Sequence, residues 1–359
     1  IIAGARPNFM KIAPIIHAIR RNQEEGGNIG YRLVHTGQHY DKKMSDTFFE
    51  ELNIPHPDVN LGAGGGSQAE QTAGIMIAFE KELMSHPADL VLVVGDVTST
   101  MACAIVAKKL STRVAHVEAG IRSFDMGMPE EINRLVTDCL TDYFFTTSEI
   151  ANQNLKKCGI PDDRIFFVGN VMIDTLRANI ERLRKPSFFD EKGLHPDGYL
   201  VLTLHRPSNV DDSEKLKRTI EEIVYHVNDL PVVFPVHPRT AKIMENHGIR
   251  VSNLLTTDPL GYLEFNYLVR HAKAVITDSG GITEETTVMG VPCLTLRDNT
   301  ERPETCTLGT NVLVGSDPKN ICPVLEKLFR NEWKKGTVPP LWDGKAAERI
   351  VDVLKTLDC

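Results

Sequence analysis

No Cys-x-x-Cys pair, no excess of positive charge and no long apolar run occurs in this sequence of 359 residues. Each absence excludes a class. A membrane helix needs roughly 18 to 20 consecutive apolar residues, and no stretch here approaches that. A formal net charge of -8 argues against general binding to nucleic acid or anionic membranes, since those partners reward a basic field. An anionic ligand therefore needs a local cluster of Arg, Lys and helix amino-termini. The seven cysteines, Cys103, Cys139, Cys158, Cys293, Cys306, Cys322 and Cys359, are odd in number and scattered. That pattern fits free thiols in a reducing cytoplasm rather than a disulfide framework or a zinc site. His35 and His39 are four apart but straddle a strand end, so no metal site is read there. Ile1 stands inside what reads as a first strand, so a few residues are expected upstream.

Two nucleotide signatures are also missing. There is no Gly-x-x-x-x-Gly-Lys-Ser/Thr loop. Gly62-Ala-Gly-Gly-Gly-Ser67 imitates a dinucleotide fingerprint, but its last position is Ser and neither a clear strand nor a strand-turn-helix context surrounds it. It reads as a flexible loop.

What is present is a repeated alternation of short apolar runs with amphipathic helical segments, the mark of parallel sheets covered by helices on both faces. Strands are expected at Ile1 to Ala3, Tyr31 to His35, Leu90 to Val94, Val114 to Val117, Tyr143 to Phe145 and Arg164 to Val168. A second set is expected at Tyr199 to Leu204, Val232 to Val236, Val251 to Leu254, Ala274 to Thr277, Cys293 to Leu296 and Val312 to Val314. Arg182 to Gly198, charged and broken by Pro and Gly, reads as the linker region. The expected fold class is α/β, with two doubly wound Rossmann-like domains facing a cleft: residues 1–175, residues 176–342, and a C-terminal helix over residues 343–359 that packs back on the first domain.

Open parallel sheets bind ligands beyond the carboxyl ends of their strands. Polar groups follow six expected strands in succession: Gly95-Asp96, Glu118, His205-Arg206, His237-Pro-Arg239, Asp278-Ser-Gly-Gly281, and Arg297 through Glu304. Asp96 or Ser279 alone reads equally well as a helix cap; the series points to a cleft. Glu118 ends a strand, and Pro129-Glu130-Glu131 opens a helix with Pro at its first position. Glu130 and Arg134 are four apart on that helix, and as a plain surface ion pair they are worth about 0.3 to 0.5 kcal/mol. The Asp278 to Glu285 stretch is a strand, a glycine turn and a helix start, where free N-H groups and the helix dipole favour a phosphate. Glu285 is placed to accept from a ribose diol, or simply to complement the dipole. Arg6, Lys11 and Arg302 supply mobile positive charge for a diphosphate. Acids in one half and an anion site in the other suit a nucleotide carrying a sugar, which is either transferred to an acceptor or rearranged in place.

Taken together the motifs resemble those of the non-hydrolysing UDP-N-acetylglucosamine 2-epimerases, which have the glycosyltransferase-B type of fold. The matching segments run the length of the chain: Gly4 to Pro14, Thr36-Gly-Gln-His39, Gly95-Asp96, His116 to Gly120, Pro129 to Arg134, Gly169 to Asp174, Leu204-His-Arg206, Pro235-Val-His237, Thr277 to Gly281 with Glu284-Glu285, and Arg297 to Glu304. The resemblance implies an isomerase that interconverts UDP-N-acetylglucosamine and UDP-N-acetylmannosamine for polysaccharide or glycoconjugate synthesis. The C2 proton leaves, UDP departs from C1 to give a glycal, and both return with the proton on the other face. No cofactor or metal is implied. Carried over by motif, Asp96, Glu118 and Glu130 handle protons, with Arg134 and His205 beside them. Arg6, Lys11, His237, Ser279, Gly280, Glu285 and Arg302 bind UDP, with Phe265 near the uracil. Gln38 and His39 mark the loop at which some members bind an activating second UDP-sugar. A homodimer and a cytoplasmic location are implied, with neither a nucleic-acid partner nor a membrane. Two departures stand out: His205-Arg-Pro-Ser208 where many bacterial members have His-Arg-Arg-Glu, and the Gly62 to Gly66 run where they have a polar or basic segment. The second implies weak or absent substrate activation.

Overall fold

Leu90–Val94 and Ala274–Thr277 are unbroken apolar runs, the pattern of a strand covered on both faces, and each lies within a parallel sheet of the structure. A computed structural model describes residues 1–38, 49–249 and 251–357. The chain divides into two compact units, Ile1–Asn179 with Pro340–Cys359, and Ile180–Pro339.

In the first unit, β1 (Ile2–Ala3), β2 (Val34–His35) and β3 (Val59–Asn60) form one parallel sheet in that order. A second contains β4 (Leu90–Val94), β5 (Arg113–Val117), β6 (Tyr143–Thr146) and β7 (Ile165–Phe167). β1 lies beside β4, so the strand order reverses where the two sheets meet. Such a reversal is where doubly wound sheets hold ligands. Val91, Val93 and Val114 pack with Ile75, Phe79 and the small residues Ala102, Cys103 and Ala104 of the helix Thr98–Lys109. The final helix, Ala346–Thr356, packs on the helix Arg6–Glu24. Its first turn is tied down by Asp174, which accepts from the Ala346 and Ala347 amides at 3.1 and 2.7 Å.

In the second unit, β8 (Leu200–Thr203), β9 (Val232–Pro235), β10 (Leu254–Thr257), β11 (Ala274–Thr277), β12 (Cys293–Thr295) and β13 (Asn311–Leu313) form a single parallel sheet, ordered β10-β9-β8-β11-β12-β13. Alternate residues of β8 serve opposite faces: Leu200 and Leu202 enter one core with Ile220, Ile223 and Leu325, and Val201 enters another with Leu268, Val269 and Phe189. The reversal falls between β8 and β11, which are direct neighbours.

Three expectations are corrected. The strand expected at Val251 to Leu254 begins only at Leu254, because the Leu254 amide first closes a turn onto the Val251 carbonyl and β10 then pairs Leu254 with Val232. The Arg182 to Gly198 stretch is no free linker: it carries a short helix, Phe188–Glu191, whose Phe189 is buried edge-on against Tyr199 and Tyr267. A strand-turn-helix context does surround Gly62 to Gly66, since β3 precedes it and the helix Gln68–Ser85 follows. That turn nevertheless lies at the edge of its sheet, away from the reversal, and Ser67 spends its side chain capping the Glu70 amide.

Candidate active site

The first unit builds its site at the carboxyl ends of β1, β4 and β5. Asn8 fixes the turn after β1: its Oδ1 accepts from the Gly4 and Ala5 amides, and its Nδ2 donates to the Val94 carbonyl at the end of β4. This draws the helix that opens with Arg6 toward Gly95 and Asp96. Gly95 has φ +68°, which favours glycine, and a Cβ there would lie 2.6 Å from Lys11 Nζ, so a side chain would displace the lysine.

Lys11 donates to Glu118 Oε2 at 2.6 Å, and both side chains are buried. Glu118 has φ +70°, a conformation that L-residues with a Cβ rarely adopt. It is held there by its own amide and that of Ala119, which share the Phe145 carbonyl. Strain stored at the end of a sheet strand marks functional positions. Arg134 donates to Asp96 Oδ2 at 2.6 Å and, from its other terminal nitrogen, to Glu131 Oε2 at 2.8 Å. Asn133 Nδ2 bonds the Asp96 carbonyl. The structure thus gathers Lys11, Asp96, Glu118 and Arg134.

Glu130 stands differently. The shared face read for Glu130 and Arg134 gives them no pairing here; Arg134 pairs with Glu131 instead, three residues before it, and Glu130 is exposed. Glu131 turns inward because the amides of Ser123 and Phe124, with the Ser123 hydroxyl, converge on its carboxylate. Burial pushes that carboxyl up, but the Ser123 and Arg134 bonds prevail and hold it below the ordinary carboxylate range.

A second buried carboxylate lies on the same helix. Asp138 meets His116 Nδ1 at 2.8 Å and Arg122 at 2.6 Å, and accepts from the Gly120 amide. Burial acts to raise it, and His116 and Arg122 outweigh burial to keep it low. His116 Nε2 lies 2.8 Å from the Gly95 carbonyl, so the ring braces β4 against β5 beside Asp96. Neither Glu131 nor Asp138 stands out in the sequence as a site residue. The available signal was the spacing Glu131, Arg134, Asp138, at i, i+3 and i+7, which places three charges on one helical face.

Gln38 is buried, its Oε1 accepting from the Ser99 amide and hydroxyl at 3.1 and 2.7 Å. His39 lies outside the described residues.

In the second unit, Asp278 at the end of β11 is fully buried and gathers the turn after β8: the His205 and Arg206 amides and Asn209 Nδ2 all donate to it. Burial opposes its charge, yet those bonds hold its carboxyl below the usual range. The His205 ring stays exposed, its Nδ1 3.9 Å from Asp278. Ser279 precedes the helix Gly280–Met289 with no side-chain cap bond of its own. A Cβ on Gly280 would lie 2.6 Å from Glu301 Oε1, whose carboxylate pairs with Arg297 at 2.6 Å.

Glu285 is buried and accepts from Tyr262 at 2.9 Å; burial raises its carboxyl to about 7 despite the Tyr262 and Asn266 bonds. Arg302 is corrected: it is not a mobile charge but a buried one, bound to Glu284 through its Nε. Nearly complete burial demands that counter-charge. His237 caps the helix Pro238–Asn246, its Nδ1 accepting from the Arg239 amide at 3.3 Å. Phe265, half-buried, packs against the core around Tyr199.

Two Rossmann-like units, one with paired carboxylates and cations at its strand ends and the other with a glycine turn opening a helix, define an α/β enzyme of the glycosyltransferase-B type. The family model described as UDP-N-acetylglucosamine 2-epimerase matches residues 21–355. The chain belongs to that family. The UDP-N-acetylglucosamine 2-epimerase of Methanocaldococcus jannaschii is 42% identical over 367 residues, covering 99% of this chain and 98% of the relative. The UDP-2,3-diacetamido-2,3-dideoxy-D-glucuronate 2-epimerase of Pseudomonas aeruginosa is 41% identical over 318 residues, 88% of this chain and 87% of that one. The crystal structure of the M. jannaschii enzyme in complex with UDP-GlcNAc and UDP matches with a TM-score of 0.87, covering 98% of each chain. Among the described residues no helix is long and apolar enough to cross a membrane.

Proposed function

We propose that this protein interconverts UDP-N-acetylglucosamine and UDP-N-acetylmannosamine by elimination and re-addition of UDP. The observation that carries this reading is the pairing of Lys11 with Glu118 and of Arg134 with Asp96 at the strand ends of the first unit. A mere binder of an anionic sugar nucleotide gains nothing from acids there.

A carboxylate from the set Asp96, Glu118 and Glu130 takes the proton from C2. The C2–H bonding pair forms the C1–C2 double bond as the C1–O bond breaks, and UDP leaves with the C1–O pair. In the return direction a proton is delivered to the opposite face of C2 and the UDP oxygen attacks C1. The C2 proton is weakly acidic, so its removal is coupled to UDP departure, which cations assist. Arg134 and His205 are assigned to the acid-base group, and Arg6, Lys11, Ser279, Gly280 and Arg302 to holding the diphosphate of UDP. Glu285 is assigned to the ribose and Phe265 to the uracil side, and His237 is a further UDP-binding residue.

The P. aeruginosa relative motivates a second substrate reading, a diacetamido uronate in place of the N-acetylhexosamine. Supplying each UDP-sugar separately and separating products by chromatography distinguishes them: the manno epimer of UDP-N-acetylglucosamine supports the first, and turnover of the uronate alone overturns it. UDP release that depends on an added sugar acceptor indicates a glycosyltransferase instead. A homodimer in the cytoplasm, feeding polysaccharide synthesis, completes the reading. The six described cysteines are free thiols, which suits a reducing compartment.

A further inference from the structure

Resting on that reading, we propose that Glu131 is a positioning residue for the proton-transfer step: it holds the Arg134 guanidinium in place and supplies it with a permanent counter-charge, so that Asp96 can gain and lose a proton.

The geometry is a relay of three charges. Glu131 and Arg134 have side chains only 2% and 3% exposed, while Asp96 is 23% exposed. Arg134 bridges the two, one terminal nitrogen to each carboxylate. A buried guanidinium left without a compensating charge is strongly destabilising. If Asp96 were its principal counter-ion, each protonation of Asp96 would incur that cost, and the carboxylate would be locked in its ionised form. Glu131 removes the conflict. Its carboxylate accepts from the Ser123 amide and hydroxyl and from the Phe124 amide, all of which favour the charged state, and it is shielded from water. Phe124 reaches this position with φ +59° and is 77% exposed, so a strained, solvent-facing residue aims its amide at Glu131. Of two adjacent acids, Glu130 faces solvent and Glu131 is the hub.

The test compares C2 deuterium exchange into UDP-N-acetylglucosamine for wild type, Glu131→Gln, Arg134→Lys and the double variant. Displacement of a catalytic group by about an ångström costs up to roughly a hundredfold, so Glu131→Gln is expected to slow exchange by about tenfold to a hundredfold. It is expected to leave UDP affinity within about twofold of wild type and to cost nothing further in the Arg134→Lys background. Equal losses in both backgrounds overturn the proposal, because they place the effect of Glu131 elsewhere. Ser123→Ala removes one anchoring bond but keeps the Glu131–Arg134 pair, and is expected to retain exchange; a tenfold loss there assigns the effect to the turn and overturns the proposal even if Glu131→Gln does not fold. Nuclear magnetic resonance of the Arg134 guanidinium needs no turnover: distinct, slowly exchanging Nη protons in wild type should merge in Glu131→Gln, and unchanged signals contradict the proposal. A wild type without exchange, by contrast, sinks the epimerase reading alone.

Discussion

Lys11 Nζ lies 2.6 Å from Glu118 Oε2, both side chains withdrawn from solvent, at the end of a strand whose last turn is bent into the left-handed region at Glu118. Removing one member of such a pair leaves the other buried and uncompensated, at about 3 to 5 kcal/mol. Lys11→Met and Glu118→Gln are each expected to lower stability toward urea by about that much, whereas the double variant recovers most of the loss. An additive double variant contradicts the pairing.

Glu285 gives a pH dependence of definite sign. Its folded-state carboxyl stands near 7 against an ordinary 4.5, raised by burial. The stability it contributes is complete below the unfolded value and is lost as pH rises from 4.5 through 7. The difference is on the order of 3 kcal/mol. Glu285→Gln keeps the Tyr262 bond without the charge. It is expected to melt higher than wild type at pH 8 and to match it near pH 4.5, as differential scanning calorimetry on both proteins will show; parallel curves contradict the account.

Asp278 behaves in the opposite sense. Its three bonds to the His205–Asn209 turn stabilise the charged form, so its contribution is present above the ordinary carboxylate value and lost as pH falls below it. Hydrogen bonds to a charged acceptor are worth about 1.5 to 3 kcal/mol. Asp278→Asn is expected to cost about that much and to weaken UDP binding by releasing His205, measured by calorimetric titration; unchanged UDP affinity argues against a ligand role for this turn.

Much of the architecture is legible in sequence for a simple reason: strands buried on both faces are written as continuous apolar runs, and Leu90–Val94 and Ala274–Thr277 fall where those runs do. β3 has one half-buried and one exposed residue and leaves no such signal, and β10 is half polar, so its start is set by pairing with β9 rather than by its own composition. At the site, Asp96 and Glu118 are readable because each follows a strand. The direction a side chain takes is not. Glu130 and Glu131 are adjacent and identical in type, and the Ser123 and Phe124 amides, the Ser123 hydroxyl and Arg134 together decide which turns inward. Arg302 reads as a free cation until the fold brings Glu284, 18 residues away, against it.

The Gly62 to Gly66 run and the engagement of Gln38 by Ser99 lead us to expect weak or absent activation by a second UDP-sugar. Initial rates should rise hyperbolically with UDP-N-acetylglucosamine concentration; a strongly sigmoidal rise contradicts this.

The most direct test of the central claim is incubation of the purified protein with UDP-N-acetylglucosamine in deuterated water, followed by proton resonance at C2. The account predicts deuterium at C2 together with the manno epimer. It also predicts loss of both in Asp96→Asn, Glu118→Gln and Glu130→Gln variants that still fold and still bind UDP. Tight UDP binding by the wild type with no exchange at C2 would contradict it.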